Sequence, residues 1–171
     1  KTKDPEYVFM FRDRSDEQYD MFRSVRSKKY RYICNYMPYR NYGHHMKYLF
    51  LALSATSWKE QFSKGRCNNV QSIFWNKKAA EELYDTENDP WEINNLAGDI
   101  SYRRILERMR KANITFMTRI LDTGFIPEAD LIDLLDGVPA YDYMRTRRLN
   151  LSEIIQAAEV AIRNNPDNLY M

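Results

Sequence analysis

The 171-residue sequence predicts an α+β fold: a small antiparallel sheet with a long amphipathic helix packed across it, plus a C-terminal helical extension. Three patterns point there. Tyr30, Tyr32, Cys34 and Tyr36 alternate onto one face of a strand, and Ser27-Lys28 separates them from the run Tyr19 to Arg26, which together read as a β-hairpin. Leu83-Tyr84 offers a further short strand. Tyr102, Ile105, Leu106, Met109, Ala112, Asn113, Phe116, Met117, Ile120 and Leu121 recur at helical spacing with a charged face opposite, a stripe that can cover one side of the sheet.

In chain order, Tyr7-Val8-Phe9-Met10-Phe11 is an unbroken apolar run stopped by Arg12-Asp13-Arg14, the pattern of a central strand covered on both faces. Met37 to Gly43, with Pro38 and Gly43, is loop after the hairpin. Met46, Leu49, Phe50, Leu53 and Trp58 then fall near helical spacing, weakened at Ser54 to Ser57. Phe74-Trp75 joins Leu83-Tyr84 as a candidate for the edge strand. The long helix has Asp99 or Ser101 as its cap and Gly124 as its stop. A short apolar segment follows at Leu131 to Leu135, then a Tyr- and Arg-rich linker from Tyr141 to Arg148. The last helix starts at Asn150, with Asn150 and Glu153 as a capping pair, and presents Leu151, Ile154, Ile155, Ala158, Ala161 and Ile162. Asn164-Asn165-Pro166 ends it.

A hydrophobic fraction of 44%, with 14% aromatic residues, excludes a disordered chain. The length suits about one domain. The formal charge of +2 from 26 basic and 24 acidic residues favours no polyanionic partner, so no nucleic acid is expected. The basic run Arg103, Arg104, Arg108, Arg110 and Lys111 reads as the solvated face of the long helix. Cys34 and Cys67 are too few for a disulfide framework and lack a second ligand at metal-site spacing. Tyr48 to Ala55 falls well short of the roughly 18 consecutive apolar residues of a membrane span, so no membrane partner is expected. The opening at Lys1, without an apolar leader, reads as that of a fragment.

The run Glu81-Glu82-Leu83-Tyr84-Asp85-Thr86-Glu87-Asn88-Asp89-Pro90-Trp91-Glu92-Ile93-Asn94-Asn95-Leu96-Ala97 resembles the signature near the C-terminal end of sulfatases. By itself it reads as a strand entering a turn, in which Asp89-Pro90 fixes the backbone and Asn94-Asn95 bond nearby main chain. The resemblance extends from about Tyr7 to Glu128. It takes in Arg12-Asp13-Arg14, Asp16-Glu17, Tyr19-Asp20, Arg23-Ser24-Val25-Arg26, Lys29-Tyr30-Arg31-Tyr32-Ile33 with Asn35, Pro38, and Gly124-Phe125-Ile126-Pro127-Glu128, the last similar to the group that acts on glycan sulfates. Ala79 stands where Pro is common and Cys34 where a basic residue is common. The resemblance implies a sulfatase C-terminal subdomain over 1–128, with 129–171 a helical extension. It also implies docking against an N-terminal sulfatase catalytic domain, a sulfated saccharide as substrate, and a periplasmic or secreted setting.

The family's catalytic motif, Cys-x-Pro-x-Arg, supplies a formylglycine nucleophile beside a divalent cation. It is absent, since Cys34-Asn35-Tyr36-Met37 and Cys67-Asn68-Asn69-Val70 both lack its Pro. No catalytic or metal-ligating residue is therefore expected here, and calcium and formylglycine are implied for a catalytic domain outside this chain. Arg12, Arg14, His44 and His45 are the candidate substrate-binding residues. A guanidinium fork bonds two oxygens of a sulfate at once. Against that stand salt bridges from the arginines to Asp13, Asp16 or Glu17, and a merely solvated histidine pair. The sequons at Asn113 and Asn150 carry no weight, the first lying on the buried stripe. The rival readings are part of a related phosphodiesterase, separated by the upstream nucleophile, or a stand-alone glycan-binding or interaction module, which would lack a large apolar docking patch.

Overall fold

The computed structural model describes residues 5–146 and 149–164. Four antiparallel strands, β1 (Val8–Arg12), β2 (Phe22–Arg26), β3 (Tyr30–Asn35) and β4 (Glu81–Asp85), lie side by side in chain order. The hairpin is as the alternation predicts, with Val25 opposite Tyr32 and Tyr32 opposite Leu83. Its turn is locked by Ser27, whose N–H donates to the Tyr30 carbonyl (2.8 Å) and whose Oγ accepts from the Tyr30 N–H (2.9 Å). Three short helices, α1 (Lys47–Phe50), α2 (Leu53–Ser63) and α3 (Asn69–Ser72), fill the β3–β4 connection. After β4 come α4 (Arg103–Ile120), α5 (Glu128–Leu135), α6 (Ala140–Thr146) and α7 (Leu151–Asn164).

α4 lies on β2 and β3 as its stripe requires. Val25, Tyr32, Cys34 and Leu83 from the strands meet Leu106 and Met109 of α4 and Ile162 of α7 in the main core. A second cluster joins Met117 of α4 and Ile126 to Met144, Leu151 and Ile155, so the C-terminal helices close over the end of α4. Glu159 of α7, 2% exposed, reaches the sheet, where the Tyr36 hydroxyl and the Cys34 thiol donate to its carboxylate and Arg163 pairs with it. The pattern Leu151, Ile155, Ile162 is the predicted stripe, while the buried carboxylate among them was not foreseen.

Several sequence expectations are corrected. β1 is an edge strand, not a central one, and Val8 and Phe11 are 53% and 74% exposed. A run of apolar residues does not distinguish a strand buried in a sheet from one whose outer face awaits a neighbour. The helix after Gly43 breaks at Leu51-Ala52, ahead of the serines, and Phe74-Trp75 is turn, leaving β4 to Leu83-Tyr84. α4 stops at Ile120 with Leu121 in the left-handed region (φ 58°), three residues before Gly124. Asp99 does cap the approach to α4, accepting from the Ser101 N–H at 2.8 Å. The linker is helical as α6 through Thr146, while Arg147, Arg148 and the stop at Asn165-Pro166 lie outside the described residues. At Asn150 the bond to the Glu153 N–H comes from the main-chain carbonyl. Arg110 leaves the solvated set, its guanidinium forking onto Glu81 of β4 at 2.6 and 2.7 Å.

The 81–97 run is scaffold. Asp89 Oδ2 accepts from the Ile93 and Asn94 N–H groups, both at 2.8 Å. Asn95 Oδ1 accepts from Leu83 N–H (2.9 Å) and Ala97 N–H (3.0 Å), and Leu96 N–H donates to the Leu83 carbonyl. The segment thereby folds back on the outer edge of β4 and satisfies the main chain that an edge strand leaves open. Asn95, not Asn94, supplies the side-chain bonds.

Candidate functional site

Two of the four candidate residues converge. β1 ends at Arg12, the chain turns tightly at Ser15–Gln18 with Asp16 at φ 54°, and the Gln18 side chain is brought back beneath the loop after β3. Arg12 donates to the Gln18 side-chain oxygen, and Gln18 Nε2 donates to the His44 carbonyl at 3.0 Å. The His44 ring is oriented by Nδ1 against the Asn41 carbonyl at 2.7 Å. Four atoms in this corner, Arg12 Nε, Arg40 Nε, Asn41 Oδ1 and His44 Nε2, are buried with no hydrogen-bond partner among the described residues. Beside them Lys78, fully buried, donates to Asp20 at 2.5 Å. Burial pulls the Lys78 pKa down, Asp20 and Glu82 oppose that, and the charge of Arg12 adds to the lowering.

Arg14 and His45 go elsewhere. Arg14 pairs with Glu128 at 2.7 Å, both half exposed, and not with Asp13, Asp16 or Glu17. His45 stacks on Phe50 at 5.2 Å between ring centres. The Arg14–Glu128 pair stands at the rim of a cleft of about 630 Å³ between β1 and the α4–α5 helices, with Phe11, Phe116, Ile120 and Leu131 among its walls.

Asp13 belongs to Arg23, which sequence reasoning passed over as a site residue. Arg23 shares the helix-facing side of β2 with Val25, and its side chain is 4% exposed. Nε and Nη2 bond the two Asp122 oxygens at 2.6 and 3.0 Å, and Nη1 and Nη2 bond Asp13 at 2.9 and 3.2 Å. The Phe11 and Phe125 rings flank the guanidinium at 5.8 and 5.6 Å. Burial works against the charge, but Asp122 and Asp13 more than offset it and leave the Arg23 pKa raised. A side chain at Gly124 would meet Arg23 Nη2 at 2.1 Å, so this glycine permits a close approach. An Arg alternating with Val on the core-facing side was the available signal. Nothing in the sequence marked Gln18, Arg40 or Lys78.

The described residues do not fit a formylglycine or a metal centre. Cys34 is fully buried among Tyr32, Tyr36 and Glu159, burial pushes its thiol well above the usual range, and it lacks the motif's Pro and Arg. Among the described residues no three His, Cys, Asp or Glu side chains group to hold a cation.

The architecture is that of an α+β module, a four-stranded antiparallel sheet with the long helix α4 packed on β2 and β3. Over 136 residues, 79% of this chain, it is 33% identical to the ulvan-active sulfatase of Formosa agariphila. The chain belongs to the sulfatase family and corresponds to a C-terminal region of such a protein. It spans 23% of the length of that curated relative. No family model matches the chain. Among solved structures, a 2-O GAG sulfatase aligns over 71% of this chain and 18% of its own, with 24% identity and a TM-score of 0.43. A Bacteroides thetaiotaomicron protein assigned to the sulfatases aligns over 72% and 18%, with 23% identity and a TM-score of 0.44. No helix among the described residues is long and apolar enough to cross a membrane.

Proposed function

We propose that this chain is the C-terminal part of a sulfatase that hydrolyses sulfate esters of a sulfated glycan. In this role it completes the substrate pocket and supports a catalytic domain carried by the rest of the polypeptide. Calcium and formylglycine belong to that domain. The observation that carries the pocket role is the corner of Arg12, Arg40 and His44, each with a buried side-chain nitrogen left unbonded among the described residues. Such groups are costly to bury alone, about 1–3 kcal/mol each, which supports a partner or ligand from outside this segment. Arg14 is the second candidate contact, because a half-exposed pair such as Arg14–Glu128 contributes only about 0–1 kcal/mol and can be exchanged for a sulfate. The glycan is supported by the relative's activity on ulvan.

The test uses the full-length protein. Arg12→Ala and Arg14→Ala are assayed on a sulfated saccharide and on a small aryl sulfate, with melting temperature measured alongside. Loss of a charge-assisted contact of about 1.5–3 kcal/mol predicts a roughly ten- to hundredfold lower kcat/KM on the saccharide at unchanged melting temperature. Equal kinetics on both substrates, or a loss that only follows destabilisation, refutes the pocket role.

A further inference from the structure

The helices after β4 close only one face of the sheet. α4 and α7 cover the side carrying Val25, Tyr32 and Cys34. On the opposite side, Phe22, Ile33 and Tyr84 floor a second cleft of about 710 Å³. Ile73 just past α3 forms one wall of it, and Trp91 and Ile93 of the 81–97 segment form another. These walls are open: Trp91 is 83% exposed, Ile73 41% and Ile93 37%. On the same insertion Val70, Leu53 and Leu51 are exposed as well, and α2 is tied to α3 by the bond from Trp58 Nε1 to the Gln71 carbonyl (3.1 Å).

The charged groups under this surface are largely paired, although Asn35 Oδ1 and Asp20 Oδ2 are buried with no hydrogen-bond partner among the described residues. Arg31 pairs with Glu92 at 2.7 Å and Lys78 with Asp20, while Tyr42, Tyr84 and Asn35 donate to Glu82. Lys77, exposed at the rim, is the cation of this cleft without an ion pair among the described residues. A sulfated sugar would therefore find one rim lysine, whereas a protein surface would find aromatic and branched aliphatic anchors over a neutralised floor. An open apolar patch rimmed by polar residues marks an interaction site, and exposed aromatic anchors carry most of the energy of such interfaces.

We infer that this face, with Trp91 and Ile73 as anchors, is the seat of the enzyme's own remaining polypeptide. The inference rests on the sulfatase reading above. The occupant follows from length as well as chemistry: the matched segment is 23% of the ulvan-active relative, so the larger part of that polypeptide lies outside it.

Hydroxyl-radical footprinting of the native full-length protein tests the seat without any variant that might fail to fold. Trp91, Ile73 and Leu53 should label about tenfold more slowly than their exposure in this chain allows, as for the desolvated centre of an interface, while Ile100 on the helix side stays reactive. Labelling of Trp91 at the rate of an open indole overturns the inference. So does protection that vanishes on dilution, which assigns the face to a second copy, or protection that requires added sulfated saccharide. A sulfatase assay on the same sample separates the two claims. Turnover with an open Trp91 refutes the seat and leaves the function, whereas a protected Trp91 without turnover refutes the function and leaves the seat.

Discussion

Replacing Arg23 with Met should destabilise the fold strongly. The guanidinium is 4% exposed and makes four bonds to two carboxylates, with further bonds to the Arg12 and Phe22 carbonyls at 3.1 and 2.9 Å. Removing one partner of a buried ion pair costs about 3–5 kcal/mol, because the other charge is left without compensation. Asp122 is 11% exposed and Asp13 40%, so solvent screens the second carboxylate and the expected cost is near the lower end, about 3 kcal/mol. For a chain of this size that is a fall in melting temperature of about 6–12 °C. Thermal unfolding followed by circular dichroism measures it. Arg23→Lys, which keeps the charge and loses the fork, should fall between. A Met variant melting within about 2 °C of the parent would refute the assignment of Arg23 as the tie between β2 and the α4–α5 connection.

Gly124→Ala drives a methyl into Arg23 Nη2 at 2.1 Å and should cost about 1–3 kcal/mol, whereas Gly98→Ala, which meets nothing within 4 Å, should melt unchanged. Met109→Ala, at a fully buried core position, should cost about 2–5 kcal/mol, and Arg104→Asp on the exposed face less than about 0.5 by urea unfolding. Burial raises the Glu82 pKa despite donors from Tyr84, Asn35 and Tyr42, so the folded state holds this proton more tightly than the unfolded. Its contribution is therefore most favourable below the ordinary carboxylate range, about pH 4.3, and is lost as pH rises through the folded value. The urea midpoint of the parent relative to that of Glu82→Gln should fall as pH rises across that window, a difference that separates Glu82 from Glu81 and Asp85, whose lowered pKa values act in the opposite direction. A difference that stays constant with pH would show that Glu82 is not the group responsible.

Much of the fold was legible because its signals are local. The period-two tyrosines around Ser27-Lys28 specify a hairpin whose inner face is fixed by alternation, and the Tyr102 to Leu121 stripe specifies a helix able to cover that face. The 81–97 run identified the family, and its Asp and Asn side chains pin main chain as turn chemistry dictates. What the sequence could not decide depends on partners distant along the chain. An apolar run at Val8–Arg12 is compatible with the centre or the edge of a sheet, and strand order alone placed it at the edge. Leu121 ends α4 where a glycine was expected three residues on, because the chain must turn there to deliver Asp122 to Arg23. Arg12 and His44 were singled out as residue types, but only the turn at Ser15–Gln18 makes them neighbours, through a glutamine that no motif marks. Periodicity records which way a residue faces along its own element; which distant group it meets is settled when the elements pack.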